Sequence, residues 1–290
     1  MQLKSTVSGF LAAAGGVIAA GTAFAQESSD GITGLEIIGA PTPGGVNFQP
    51  AVTGVAQNTF ALDNMVLWII SIIVLFVVGL LGYVILRFNQ RANKTPATFT
   101  HHSTLEVAWT ILPIVILVFI GAFSLPVLFN QQEIPEGDIH IKATGNQWYW
   151  SYEYIGTDIA FDSFMLGRNA LEENGYSQDE YLLATDTAIV LPSGKDIVVR
   201  VTASDVIHSW AIPAFGVKQD GVPGRTAELW FNVDPGKEGI YFGQCSELCG
   251  KDHAYMPITV KIVTQEEYEA WLGRQASLDA ETSIQVASSN

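Results

Sequence analysis

The chain has 290 residues, 48% of them hydrophobic, and a formal net charge of −15 at pH 7. From Asn130 onward it carries 24 Asp and Glu against 10 Lys and Arg, a difference of −14. That balance excludes nucleic acid as a partner and suits a basic partner or simple solubility, while two cysteines are too few for a disulfide framework.

In chain order, residues 1–25 read as a cleaved signal peptide. Lys4 gives a positive start, residues 7–20 are apolar, and Ala23-Phe24-Ala25 is an A-x-A site that predicts cleavage before Gln26. Residues 26–60 are rich in Gly and Pro, lack periodicity, and predict an extended external arm. Residues 61–130 predict a transmembrane hairpin. Residues 64–86 and 107–132 contain no charge and exceed the ~20 apolar residues a bilayer needs. Pro113 and Pro126 in the second span are tolerable where neighbouring helices satisfy the freed backbone groups. Arg87, Arg91 and Lys94 lie between the spans, which puts that loop in the cytoplasm and both mature termini outside. Neither span contains a histidine, so this chain alone cannot ligate haem within the bilayer.

Residues 131–276 predict one soluble β domain. Residues 138–144 alternate strictly, with His140 on the polar side, where it reads as an exposed strand residue. Residues 197–201, 227–233, 239–244 and 256–263 are further strands. Pro192-Ser193-Gly194 and Asp234-Pro235-Gly236 are turns. Many short strands separated by turns suggest a Greek-key sandwich or barrel. Thr264 and Glu267 form a capping box ahead of a last helix carrying Tyr268 and Trp271. Residues 277–290 read as a C-terminal tail.

The stretch G-Q-C-S-E-L-C-G-K-D-H-A-Y-M-P, residues 243–257, holds both cysteines with His253 and Met256 close behind. A Cys245–Cys249 disulfide would close a small ring and leave His253 and Met256 unexplained. Zinc accepts thiolates and imidazoles but has little use for a thioether. Two thiolates, a thioether and imidazole suit copper. The missing imidazole is assigned to His208 in S-D-V-I-H-S-W-A-I-P, because the other histidines lie in the cytoplasmic loop or on the early strand. Gly250 and Pro257 argue for a loop wrapped round one centre over a helix. From ligand types alone, disulfide, zinc and copper all remain open.

C-S-E-L-C-G-K-D-H-A-Y-M resembles the copper loop of cytochrome c oxidase subunit II in its bacterial form, C-x-E-x-C-x3-H-x2-M. H-S-W-A-I-P, K-Q-D-G-V-P-G-R, N-Q-W-Y-W-S-Y-E-Y and L-E-V-A-W-T-I-L-P resemble further motifs of that family, and the likeness spans about residues 55–275. It departs from the family in a slightly longer stretch between His208 and Cys245. The resemblance implies a cupredoxin-like sandwich on a two-helix hairpin, with a dinuclear copper (CuA) centre. Cys245 and Cys249 would bridge, His208 and His253 would each bind one copper, Met256 would bind weakly, and the Glu247 carbonyl would complete the set. The Glu247 side chain would reach a magnesium or manganese ion shared with subunit I. Trp148 would be an exposed aromatic where electrons enter from cytochrome c, steered by Glu153, Asp162, Asp186 and Asp205. Glu106 would admit protons to subunit I; on position alone it also reads as a helix-end charge. Further implied partners are subunit III and the membrane, with the protein in the bacterial inner membrane and its copper domain in the periplasm. The implied activity is electron transfer from cytochrome c to the haem of subunit I for oxygen reduction, coupled to proton pumping. The alternatives are an exported, membrane-anchored copper carrier or assembly factor, or a quinol oxidase subunit II, which would lack the copper ligands.

Overall fold

The structure is a computed structural model that describes residues 30–288; the signal peptide expected over residues 1–25 lies outside them. Two long helices form the hairpin, α1 (Gly54–Arg87) and α2 (Ser103–Gln132). Both are apolar all round. Leu75, Phe76, Leu81, Leu117 and Val118 stand outward with nothing among the described residues to cover them, as lipid-facing helices require.

The hairpin is tied to the β domain where α1 begins and α2 ends. Thr53 caps α1: its Oγ1 accepts from the Ala56 N–H at 3.0 Å and donates to the Phe215 carbonyl at 2.7 Å. Gln131 Nε2 donates to Thr59 Oγ1 at 2.7 Å, joining the two helices. Trp230 Nε1 donates to the Asn130 carbonyl at 3.3 Å, joining α2 to the domain.

The β domain is a sandwich of two sheets. One sheet has the order β5 (Ile189–Pro192), β11 (Pro257–Val263), β10 (Gly239–Cys245), β7 (His208–Ile212), β8 (Val217–Gly221), with β1 (Ile37–Gly39) also paired to β10. The other has the order β4 (Ala160–Ser163), β3 (Tyr149–Tyr154), β2 (Ile139–Asn146), β6 (Ile197–Ala203), β9 (Ala227–Phe231). Alternation in β3 sends Trp150, Tyr152 and Tyr154 inward and leaves Glu153 outside. Trp150, Trp210, Tyr152, Tyr241, Phe215 and Phe231 are fully buried, and burial of each contributes on the order of 2–3 kcal/mol. Buried polar tips also join the sheets. The Tyr154 hydroxyl donates to the Val190 carbonyl at 2.8 Å and accepts from its N–H at 2.9 Å. Trp210 Nε1 donates to the Tyr152 hydroxyl at 3.3 Å.

The stretch expected to be an extended arm differs from that reading at two points. It supplies β1, which runs parallel to β10, and α1 begins at Gly54. The arm is further latched by a buried ion pair, Lys261 Nζ to Asp30 at 2.6 Å. A second cluster, Leu166, Leu171, Tyr176 and Leu183, covers Ile240 and Phe242 on the outer face of β10. That cover explains why β10 is apolar on both faces. His140 is partly buried where an exposed strand residue was expected, and its Nδ1 is enclosed. The last helix, α3 (Gln265–Ser288), carries the capping box: Glu267 Oε2 accepts from the Thr264 N–H at 3.0 Å, and Thr264 Oγ1 accepts from the Glu267 N–H at 3.3 Å. It runs on through most of the expected tail.

Candidate metal centre

Adjacent strands bring the donors together. His208 opens β7, Cys245 closes β10, and Cys245 pairs with Trp210 in the ladder. Gln244 pairs with Pro257, so the chain leaves β10 and returns on β11 at neighbouring positions. The intervening residues must therefore loop back on themselves. The Ser246 N–H donates to the Ser209 carbonyl at 2.9 Å and pins the start of the loop. Gly250 has φ +124°, and a Cβ there would sit 3.0 Å from the Trp148 ring. Only glycine fits that close approach without strain.

Cys245 Sγ lies 3.8 Å from Cys249 Sγ, 3.8 Å from His208 Nδ1 and 3.3 Å from the Glu247 carbonyl. Cys249 Sγ lies 3.5 Å from His253 Nδ1 and 3.5 Å from Met256 Sδ. His208, Cys245, Cys249 and Met256 are buried. Both cysteines are free, at a separation far beyond the ~2.05 Å of a disulfide bond. Two thiols, two imidazole Nδ1 atoms, a thioether and a carbonyl thus converge on one space. A thioether in that set fits copper better than zinc.

The surroundings prepare the donors. The Asp205 Oδ1 atom lies 2.9 Å from His208 Nε2. With Nε2 donating to this carboxylate, Nδ1 is left with its lone pair toward the thiols, the usual arrangement for a metal-binding imidazole. Burial pushes the Cys245 thiol up, but hydrogen bonds from His208 and from the backbone of Ser209 and Glu247 outweigh it and bring it down to about 7. Burial, together with the adjacent Cys245, pushes the Cys249 thiol up to about 12. Burial lowers the His208 value, but the bonds to Cys245 and Asp205 overcome that and raise it. Burial raises the Asp205 value, but hydrogen bonds from His208, Val206 and Gln147 more than offset it, and the carboxyl is held below its ordinary value. Gly145 completes the packing: a Cβ there would meet the His208 ring at 2.7 Å.

All six residues expected as ligands meet here. Trp148 is half-buried where an exposed indole was expected, and its Nε1 donates to the Cys249 carbonyl at 3.3 Å. Gln147 Nε2 donates to the same carbonyl at 2.8 Å, a contact the sequence did not suggest. The four expected docking carboxylates are exposed, and each has a partner within the chain. Glu153 pairs with Lys142 at 2.7 Å, Asp162 accepts from the Ser151 hydroxyl at 2.6 Å, and Asp186 accepts from the Phe164 N–H at 2.8 Å. Asp205 is drawn into the site itself. Its role was legible only as the D-x-x-H spacing ahead of His208. Glu106 lies apart from this centre, in the first turn of α2, where its Oε1 accepts from the His102 N–H at 3.2 Å.

Residues 139–263 match the family described as cytochrome C oxidase subunit II, periplasmic domain, and residues 41–127 match the transmembrane domain of the same subunit. The cytochrome c oxidase subunit 2 of Cereibacter sphaeroides is 56% identical over 286 residues, covering 94% of this chain and 92% of the relative. The chain belongs to the cytochrome c oxidase subunit II family. A probable subunit 2 of Rickettsia bellii is 42% identical over 241 residues, covering 83% of this chain and 87% of the relative. Among solved structures, the periplasmic domain of subunit II from Bradyrhizobium japonicum is 46% identical, covering 49% of this chain and 95% of that one with a TM-score of 0.43. As a subunit II, the protein is part of a haem-copper oxidase, an oxidoreductase, and a two-pass inner-membrane protein.

Proposed function

We propose that this subunit receives electrons from a c-type cytochrome and holds a dinuclear copper centre in doing so. Cys245 and Cys249 would hold both ions. His208 and His253 would each hold one ion, and Met256 and the Glu247 carbonyl would complete the set. When bound, the copper pair supplies reversible one-electron chemistry with little rearrangement of its ligands. The observation that carries this reading is the donor set: two free thiols 3.8 Å apart, flanked by imidazole nitrogens from His208 and His253 on opposite thiols.

The other residues have distinct roles. Trp148 donates to the Cys249 carbonyl, which supports its indole as the point where a docked donor would meet the ligand loop. Glu153, Asp162, Asp186 and Asp205 would steer a basic cytochrome c at long range. Glu247 is exposed, and its side chain would reach a magnesium or manganese ion shared with subunit I. Glu106 would collect protons at the cytoplasmic end of α2 for subunit I. Subunit III would join the complex, and both mature termini would lie outside with the copper domain. A copper carrier or assembly factor is not favoured, since the chain matches subunit II along its length.

Metal and haem analysis of the membrane-purified complex tests the proposal. Two coppers attributable to this subunit, co-purifying with haem, are expected. Zinc in their place would sink it, as would copper protein free of haem.

A further inference from the structure

The Trp148 indole carries a cation on its face. Lys251 Nζ lies 5.3 Å from the ring centroid, within the range of a cation–π contact. The placement follows from the loop. Gly250 packs against Trp148 so closely that a Cβ would touch the ring, and the residue after it is thereby held at the indole. The Lys251 side chain is 77% exposed, and its partner Asp252 is 3.3 Å away at the surface. An exposed ion pair of that kind is weak and leaves the ammonium open to an incoming molecule.

The surroundings are of opposite sign. Asp205 accepts from the Gln147 N–H at 2.7 Å, directly beside Trp148. Asp162 connects through Ser151 to Asn146, which precedes Gln147 by one residue. A lysine over the indole, loosely paired with Asp252, therefore places a positive charge among acids at this end of the domain.

We propose that Lys251 is a specificity-determining residue for the electron donor: its ammonium over Trp148 disfavours donors that present a cation directly opposite the indole. The proposal rests on the reading of Trp148 as the point of electron uptake. Acids around the indole draw in a basic protein from a distance, whereas Lys251 acts at contact range. Donors with a neutral or acidic centre inside a basic rim are selected.

The test uses the purified oxidase complex with a basic cytochrome c as probe. Lys251→Met should lower KM about two- to fivefold at low ionic strength, and Lys251→Glu should lower it further. The difference should vanish at high salt, with kcat unchanged. Lys251→Arg should keep the wild-type KM. Lys237→Met, in the turn before β10 and so at the opposite end of that strand from Cys245, controls for net charge and should change KM much less. Unchanged or higher KM in both Lys251→Met and Lys251→Glu overturns the proposal, as does an effect equal to that of Lys237→Met. Rapid-mixing reduction of Trp148→Gln by the same probe tests the underlying reading separately. Wild-type electron uptake in that variant removes Trp148 as the contact point, whatever the Lys251 variants do.

Discussion

Replacing Asp205 by Ala separates two roles that one carboxylate holds. Its oxygens accept from Val206 N–H at 2.6 Å, Gln147 N–H at 2.7 Å and His208 Nε2 at 2.9 Å. Val206 and Gln147 are exposed, so water replaces the lost acceptor at little cost. His208 is fully buried, and its Nε2–H would lose its partner. An unsatisfied buried donor costs about 1–3 kcal/mol. The same carboxylate also orients Nδ1 toward Cys245, and loss of such a support weakens metal binding by about 10–100-fold. Asp205→Ala should therefore lower copper affinity by one to two decades, measured by competition with a copper chelator. Asp205→Asn keeps an acceptor oxygen and should fall between. Both variants should also raise KM for a basic cytochrome c at low salt, as Glu153→Gln should, but Glu153→Gln should leave copper affinity untouched. Wild-type copper affinity in Asp205→Ala would refute the positioning argument and leave a docking charge only.

Three further expectations follow from other parts of the fold. Lys261→Met removes the cation from the buried pair with Asp30 that latches the arm; about 3 kcal/mol of stability should be lost, read as a lower Tm of the complex. An unchanged Tm would mean the latch contributes nothing. Glu106→Ala should slow steady-state turnover with saturating cytochrome c while copper content and its reduction stay intact, and Glu106→Asp should keep part of the activity. Full turnover in the Ala variant would leave Glu106 as a charge at the start of α2. In copper-free protein, ultraviolet absorbance should show one thiolate forming near pH 7 and the second only far above the usual cysteine range, because Cys245 is stabilised as thiolate and Cys249 is not. Two thiols titrating together near 8.5 would contradict that asymmetry.

The parts of this protein written in local sequence were legible before any fold was known. The uncharged spans declare the hairpin, and the cysteines, His253 and Met256 sit within one short loop. The Thr264 capping box was readable for the same reason. What failed to show depends on distant partners. Ile37–Gly39 is too short to alternate, and it becomes a strand only because the edge of β10, some 200 residues on, is open to it. Asp30 gave no sign that Lys261 would bury it. The exposed reading of Trp148 missed that Gly250 brings the ligand loop against the ring. Asp205 looked like a surface charge because nothing local says that its neighbour His208 is buried with Nε2 facing back.

Electron-spin resonance of the purified complex, with copper counted against haem, tests the central claim in wild type and Cys249→Ser. The wild type should show one unpaired electron shared over two copper nuclei, with two coppers in this subunit. Cys249→Ser should lose the shared pattern and at least one copper, because one of the two bridging thiolates is gone. A Cys249→Ser protein that kept both coppers and the wild-type spectrum would contradict the account.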